Sequence, residues 1–171
     1  MAQVLRNAGL ATLLFDLLTA EEEVDDIRTA KLRFDIGLLA RRLVAATDWL
    51  KENADARKLG IGYFGASTGA AAALVAAAER PDIVAAVVSR GGRPDLAGKA
   101  LPGVKAPTLL IVGGHDFQVI EMNQAALAKI NVEKKLVIVP GATHLFEEPG
   151  ALEEVARLAA DWFSSHLKRE T

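Results

Sequence analysis

Residues 59–78 run for twenty positions without a charge. An uncharged stretch of that length either spans a bilayer or lies inside a folded domain. Its content decides against the bilayer. Glycines stand at 60, 62, 65 and 69, Ser67 and Thr68 fall in the middle, and large apolar side chains are few among many alanines. The run also divides into a β-like half, LGIGYFG, and an Ala-rich half, TGAAAALVAAA, that favours helix. A buried strand, a tight turn and a helix account for it, which commits the chain to alternating strands and helices.

The rest of the sequence repeats that alternation. Apolar runs with the length of doubly buried strands occur at Ala11–Leu18, Leu59–Phe64, Ile83–Ser89 and Thr108–Val112, with a shorter one at Lys135–Val139. Between them, Ile36, Leu39, Leu43, Ala46 and Leu50 recur at steps of three and four along one helix face. Thr68–Glu79 and Met122–Ile130 are further helices. A last stripe, Leu152 to Leu167, is expected to dock on the sheet. The expected fold is a three-layer α/β/α domain over residues 1–171, with a mostly parallel sheet of about five strands.

Composition narrows the function. Of 171 residues 51% are hydrophobic, enough for a sizeable core. Twenty Lys and Arg against twenty-two Asp and Glu give a net charge of −2, which supplies no field for nucleic acid or an anionic membrane. The absence of cysteine excludes disulfides, thiolate metal sites and a thiol nucleophile. The three histidines are scattered, so no metal site is expected. Arg6 and Asn7 interrupt the first residues, so no leader peptide is read there, and a soluble, cytoplasmic protein is expected.

Gly65-Ala66-Ser67-Thr68-Gly69 sits between the uncharged strand and its helix. A serine on so sharp a turn is held in a strained backbone, its glycine neighbours avoiding clashes, with its hydroxyl above the sheet edge. The Thr68 amide then opens a helix and can donate to a developing oxyanion. Gly60-x-Gly62-x-x-Gly65 also matches a dinucleotide fingerprint, but its glycines lie inside the strand and no acid ends a second strand about 20 positions on. No cofactor is therefore expected. A base and an orienting acid follow two later strands: Asp116 in GGHD after TLLIV, and His144 in GATH after KLVIV. In a parallel sheet both loops lie on the edge that carries Ser67. A lone serine here reads as a turn residue, and a lone His144 as a cap on Glu147. The order Ser67, Asp116, His144 at three strand ends makes them a nucleophile, an acid and a base.

On GYFGASTGAA, PTLLIVGGHDFQVI and VPGATHLFEEPG, the chain resembles the α/β-hydrolase superfamily, and within it the dienelactone-hydrolase-like branch. The resemblance runs from the first strand to the last helix. It implies Ser67 as nucleophile, His144 as general base and then acid, and Asp116 as the residue that holds the imidazole. Members proper carry cysteine at the elbow, whereas this chain carries Ser67. The resemblance also implies about three strands before Ala11–Leu18 and a second oxyanion donor after the third, and nothing in this sequence matches them. One oxyanion donor is worth a factor on the order of 10²–10³ in turnover. The absent third strand leaves either unpaired edges or direct pairing of its neighbours, so a homodimer, or a complex with a separate N-terminal piece, is expected.

Other candidates are weighed the same way. His115 reads as structural or substrate-lining, and His166 as a partly buried helix-end histidine. The acidic run Glu21–Asp26 reads as a solvated loop or the first turn of a helix. Arg90 and Arg93 follow a strand; Arg90 is placed either against a substrate carboxylate or on the surface beside Asp95. The expected activity is that of a serine hydrolase acting on a small ester, lactone or thioester through an acyl-enzyme. The alternative is a hydrolase-fold module that binds a ligand or partner without turnover. Phosphate binding at the Ser67–Gly69 turn is the weakest reading, because it leaves Asp116 and His144 unused.

Overall fold

The structure, a computed structural model, describes residues 1–167. Its sheet has four parallel strands, β1 (Ile61–Ala66), β2 (Val84–Arg90), β3 (Thr108–Gly113) and β4 (Lys134–Val139), in the order β1-β2-β3-β4. The helices are α1 (Ala2–Asn7), α2 (Ala20–Thr29), α3 (Ile36–Glu52), α4 (Thr68–Glu79), α5 (Phe117–Leu127) and α6 (Ala151–His166), with a 3-10 segment at Pro94–Gly103.

Side-chain alternation along the strands builds two cores. On one face Ile61, Tyr63 and Val87 meet Leu39 and Val44 of α3 and Leu74 of α4. On the other Ala86, Val88, Leu109 and Ile111 meet Leu5 of α1 and Val155, Ala159 and Phe163 of α6. This is the expected three-layer arrangement. Helix α4 is alanine-rich because it lies against the sheet: Ala70, Ala71, Ala72, Ala76 and Ala77 are fully buried, where larger side chains would hold the layers apart. Asp35 caps α3 by accepting from the Leu38 amide at 2.9 Å. The acidic run forms the first turn of α2, closed by a capping box between Thr19 and Glu22.

One expected strand is absent. Residues 11–18 pair with nothing, and Leu13, Leu14 and Phe15 are 50%, 69% and 44% exposed rather than buried on both faces. A strand exists only where a neighbour takes up its amides and carbonyls, and in the described structure this run has none beside it. Of the two outcomes the sequence allowed, unpaired edges or direct pairing with the elbow strand, the first is adopted. β1 accordingly forms one edge of the sheet. Other limits move modestly: β1 starts at Ile61 rather than Leu59, and α5 at Phe117 rather than Met122. The second shift sets Asp116 directly at the N-terminus of α5.

Candidate active site

Ser67 occupies the junction of β1 and α4 with φ +49° and ψ −126°. A non-glycine residue in this region carries strain of about 1–3 kcal/mol, held in place by the surrounding fold. Two contacts hold it: its carbonyl accepts from the Arg93 amide at 3.0 Å and from the Ala70 amide at 3.2 Å. Gly65 is required, because a side chain there would lie within 2.7 Å of backbone atoms of Gly69 and Ala70. Gly69 is not required in the same way: a side chain at that position meets open space, contrary to the expectation for both flanking glycines. Thr68 is the first residue of α4, so its amide is among those a helix leaves without an internal partner.

The other two residues are joined directly. His144 Nδ1 lies 2.6 Å from Asp116 Oδ2. Asp116 is 15% exposed and His144 45%, so the carboxylate is shielded while the imidazole stays open toward solvent. With Nδ1 turned to the acid, Nε2 faces away from it. The two loops are zipped together: the Gly114 amide donates to Val139 O and the His115 amide to Ala142 O, both at 2.9 Å. Gly113 permits this, since a side chain there would come within 2.5 Å of the Ala142 and Thr143 carbonyls. Glu148 holds the same loop by accepting from the Thr143 amide at 3.0 Å. Hydrogen bonding from Thr143 keeps its carboxyl below the usual glutamate range. Beyond His144, Phe146 turns through φ +59° into full burial and anchors the loop in the second core.

The arginines separate. Arg93 pairs with Asp95 at 2.7 and 2.9 Å, leaving that carboxylate unavailable to Arg90. Arg90, at the end of β2, lies over the Phe146 ring at 5.7 Å, its Nε buried and without a hydrogen-bond partner among the described residues. Burial pushes its pKa below the ordinary arginine value. His115 is exposed, and its amide rather than its imidazole holds the loop. His166 donates no chemistry here: its Nδ1 is 2.7 Å from Trp162 O and its Nε2 3.3 Å from Glu133, which precedes β4 at the opposite end of the sheet. A cavity of about 380 Å³ opens beside Thr68 and Gly69, walled by Phe15, Leu17, Leu18, Ile27 and Leu39. Among the described residues no His, Cys, Asp or Glu cluster suits a metal ion, and no helix is long and apolar enough to cross a membrane.

Strained Ser67 thus follows β1, and the hydrogen-bonded His144–Asp116 pair follows β3 and β4 on the same edge of the sheet. The sequence model of the dienelactone hydrolase family matches residues 1–168. The chain belongs to the dienelactone hydrolase family. Among solved structures, a dienelactone hydrolase from Anabaena variabilis superposes with a TM-score of 0.95 at 68% identity, over 98% of this chain and 77% of that one. A dienelactone hydrolase-like promiscuous phosphotriesterase from metagenomic libraries, at 18% identity and TM-score 0.75, shares the fold over 96% of this chain. A Mycobacterium tuberculosis protein described as a putative phosphoribosyl transferase is 62% identical over 167 residues. That match covers 98% of this chain but 37% of the relative, so the chain spans little more than a third of this curated relative.

Sequence reasoning set Ser67, Thr68, Asp116 and His144 at the strand ends of one sheet edge, which is where they lie, and left Arg90 between that cleft and the surface beside Asp95; it lies at the end of β2 on the same edge. It missed Glu148, Phe146 and Asn123, the last buried in α5 and donating to Val119 O and Gly92 O. For Asn123 one signal existed: asparagine is a poor helix former, yet it stands inside an apolar helix pattern.

Proposed function

We propose that this chain is a serine hydrolase of the dienelactone hydrolase family, cleaving a small ester, lactone or thioester. The observation that carries the reading is the His144–Asp116 hydrogen bond at 2.6 Å on the sheet edge that also holds strained Ser67. His144 Nε2 takes the Ser67 proton as Oγ bonds to the substrate carbonyl carbon. The tetrahedral oxyanion accepts from the Thr68 amide. As the intermediate collapses, the bond to the leaving oxygen or sulfur breaks and that atom takes the proton from His144. Water then gives a proton to His144 and attacks the acyl-enzyme, and the released Oγ recovers that proton. Asp116 keeps Nδ1–H bound throughout, fixing the tautomer with Nε2 as base. Arg90 is the proposed substrate-binding residue, because its guanidinium is half-buried at this edge and has no carboxylate partner among the described residues.

The phosphoribosyl transferase description belongs to a protein more than twice the length of the matched stretch. For this stretch, a nucleophile, base and acid in sequence favour acyl transfer. The test is a fluorophosphonate probe with peptide mapping of the adduct, alongside hydrolysis of nitrophenyl acetate. Labelling at Ser67, with Ser67→Ala reduced about 10³-fold or more in turnover, supports the enzyme. Folded protein that neither labels nor hydrolyses favours a binding module.

A further inference from the structure

Asn123 lies in the middle of α5 and is fully buried. Its amide nitrogen donates to two backbone carbonyls, Val119 O at 2.8 Å and Gly92 O at 3.0 Å. Rotating the amide would set its oxygen against both carbonyls, so the assignment of nitrogen and oxygen is fixed by the contacts. Its Oδ1 has no partner among the described residues. What the amide secures is Gly92.

Gly92 is the centre of a three-residue bridge across the site. On one side the Arg93 amide holds Ser67 O at 3.0 Å, the contact that fixes the strained turn. On the other, Gly91 at φ +49° approaches the histidine loop so closely that a side chain there would lie 3.1 Å from His144 O and 3.7 Å from its Cε1. Asn123 itself belongs to the helix that Asp116 begins. One side chain therefore ties the helix that Asp116 begins to the backbone that bonds Ser67 O and runs close beside the His144 loop.

We infer that Asn123 is a positioning residue, setting the distance between Ser67 and the His144–Asp116 pair through Gly92. The inference rests on the hydrolase reading above. A misplacement of about 1 Å in such a set costs on the order of 10²-fold in rate. Asn123→Leu is therefore expected to lower kcat and the fluorophosphonate labelling rate of Ser67 by about that factor, with KM within about twofold. The downfield Nδ1 proton resonance of the His144–Asp116 pair should persist, because that pair is zipped by its own loop contacts. Asn123→Gln, which keeps a donor, should recover part of the loss, and Asn123→Ser takes the place of leucine if that variant does not fold. A folded Asn123→Leu with kcat within about twofold of the parent overturns the proposal, as does loss of the downfield proton together with activity, which marks a general structural role. A parent protein that does not label overturns the hydrolase reading and this one with it; an active parent beside an equally active Asn123→Leu overturns this one alone.

Discussion

Residues 10–35 and the four strand ends are held by different forces. The strand ends sit on a continuous ladder over two buried cores, with β3 buried at every position from Thr108 to Gly113. Residues 10–35 have no ladder. Leu10, Leu17 and Leu18 pack partly against the two cores, and side-chain charges fasten the rest: Arg42 binds Glu22 and, at 2.6 Å, Leu17 O. Asp26, itself buried, accepts from the Leu32 and Arg33 amides and from Arg33 Nε. Burial would raise the Asp26 carboxyl, but these donors hold it below the ordinary aspartate value. Val24, Ile27 and Phe34 remain exposed on this segment. The arginines follow the same division in part. In residues 10–35 and their contacts they are used up on carboxylates, as is Arg93 after β2, whereas Arg90 at the end of β2 has no carboxylate partner among the described residues. One region is a scaffold fixed by desolvated backbone, and the other a strap fixed by polar clamps.

The largest effect that can break this contrast is in the core. Leu110→Ala, at a fully buried position on β3, should cost about 2–5 kcal/mol. Leu14→Ala, on the exposed run, should stay within about 0.5 kcal/mol. Chemical denaturation of both variants measures this, and equal losses would show that residues 11–18 are as deeply built in as β3. Next comes the free charge. Arg90→Ala should lower kcat/KM by about 10–100-fold on an ester bearing a carboxylate and spare its neutral analogue. Equal losses on both substrates would remove Arg90 from recognition.

The smallest effect separates the strap by pH. Hydrogen bonding to Arg42, then to Thr19, holds Glu22 at a pKa of about 2, down from its model-peptide value of 4.5. Because the folded value is the lower one, the contribution is complete above 4.5 and fades as pH falls toward 2. Proteolysis at acid pH, with pepsin, should therefore cut within residues 10–35 before the sheet unfolds. Simultaneous loss of both regions would merge the two into one cooperative unit.

The placing of the candidate side chains on one sheet edge was legible in the sequence because they lie within a few residues of apolar runs. Once Thr108–Val112 and Lys135–Val139 were strands, Asp116 and His144 had to emerge at the same edge as Ser67. Residues 11–18 misled for a physical reason. Their pattern encodes the capacity to be a strand, but pairing needs a second segment that the pattern cannot supply. Asn123 and Glu148 were hidden because their partners are backbone groups. The Gly92 carbonyl that Asn123 binds lies 31 positions away, and nothing in the residue type at 92 announces the bond.

The zipped loops after β3 and β4 make the sheet itself a ruler for the proposed proton transfer. Gly113 stands opposite Val139, and the acid and base follow each by a few residues. A slip of one residue between the two strands would slide His144 past Asp116 by about 3.3 Å, longer than the bond that joins them. The tolerance of the His144–Asp116 pair is thus inherited from strand registry, and a change deep among the β3 side chains can reach the proposed chemistry without touching either residue.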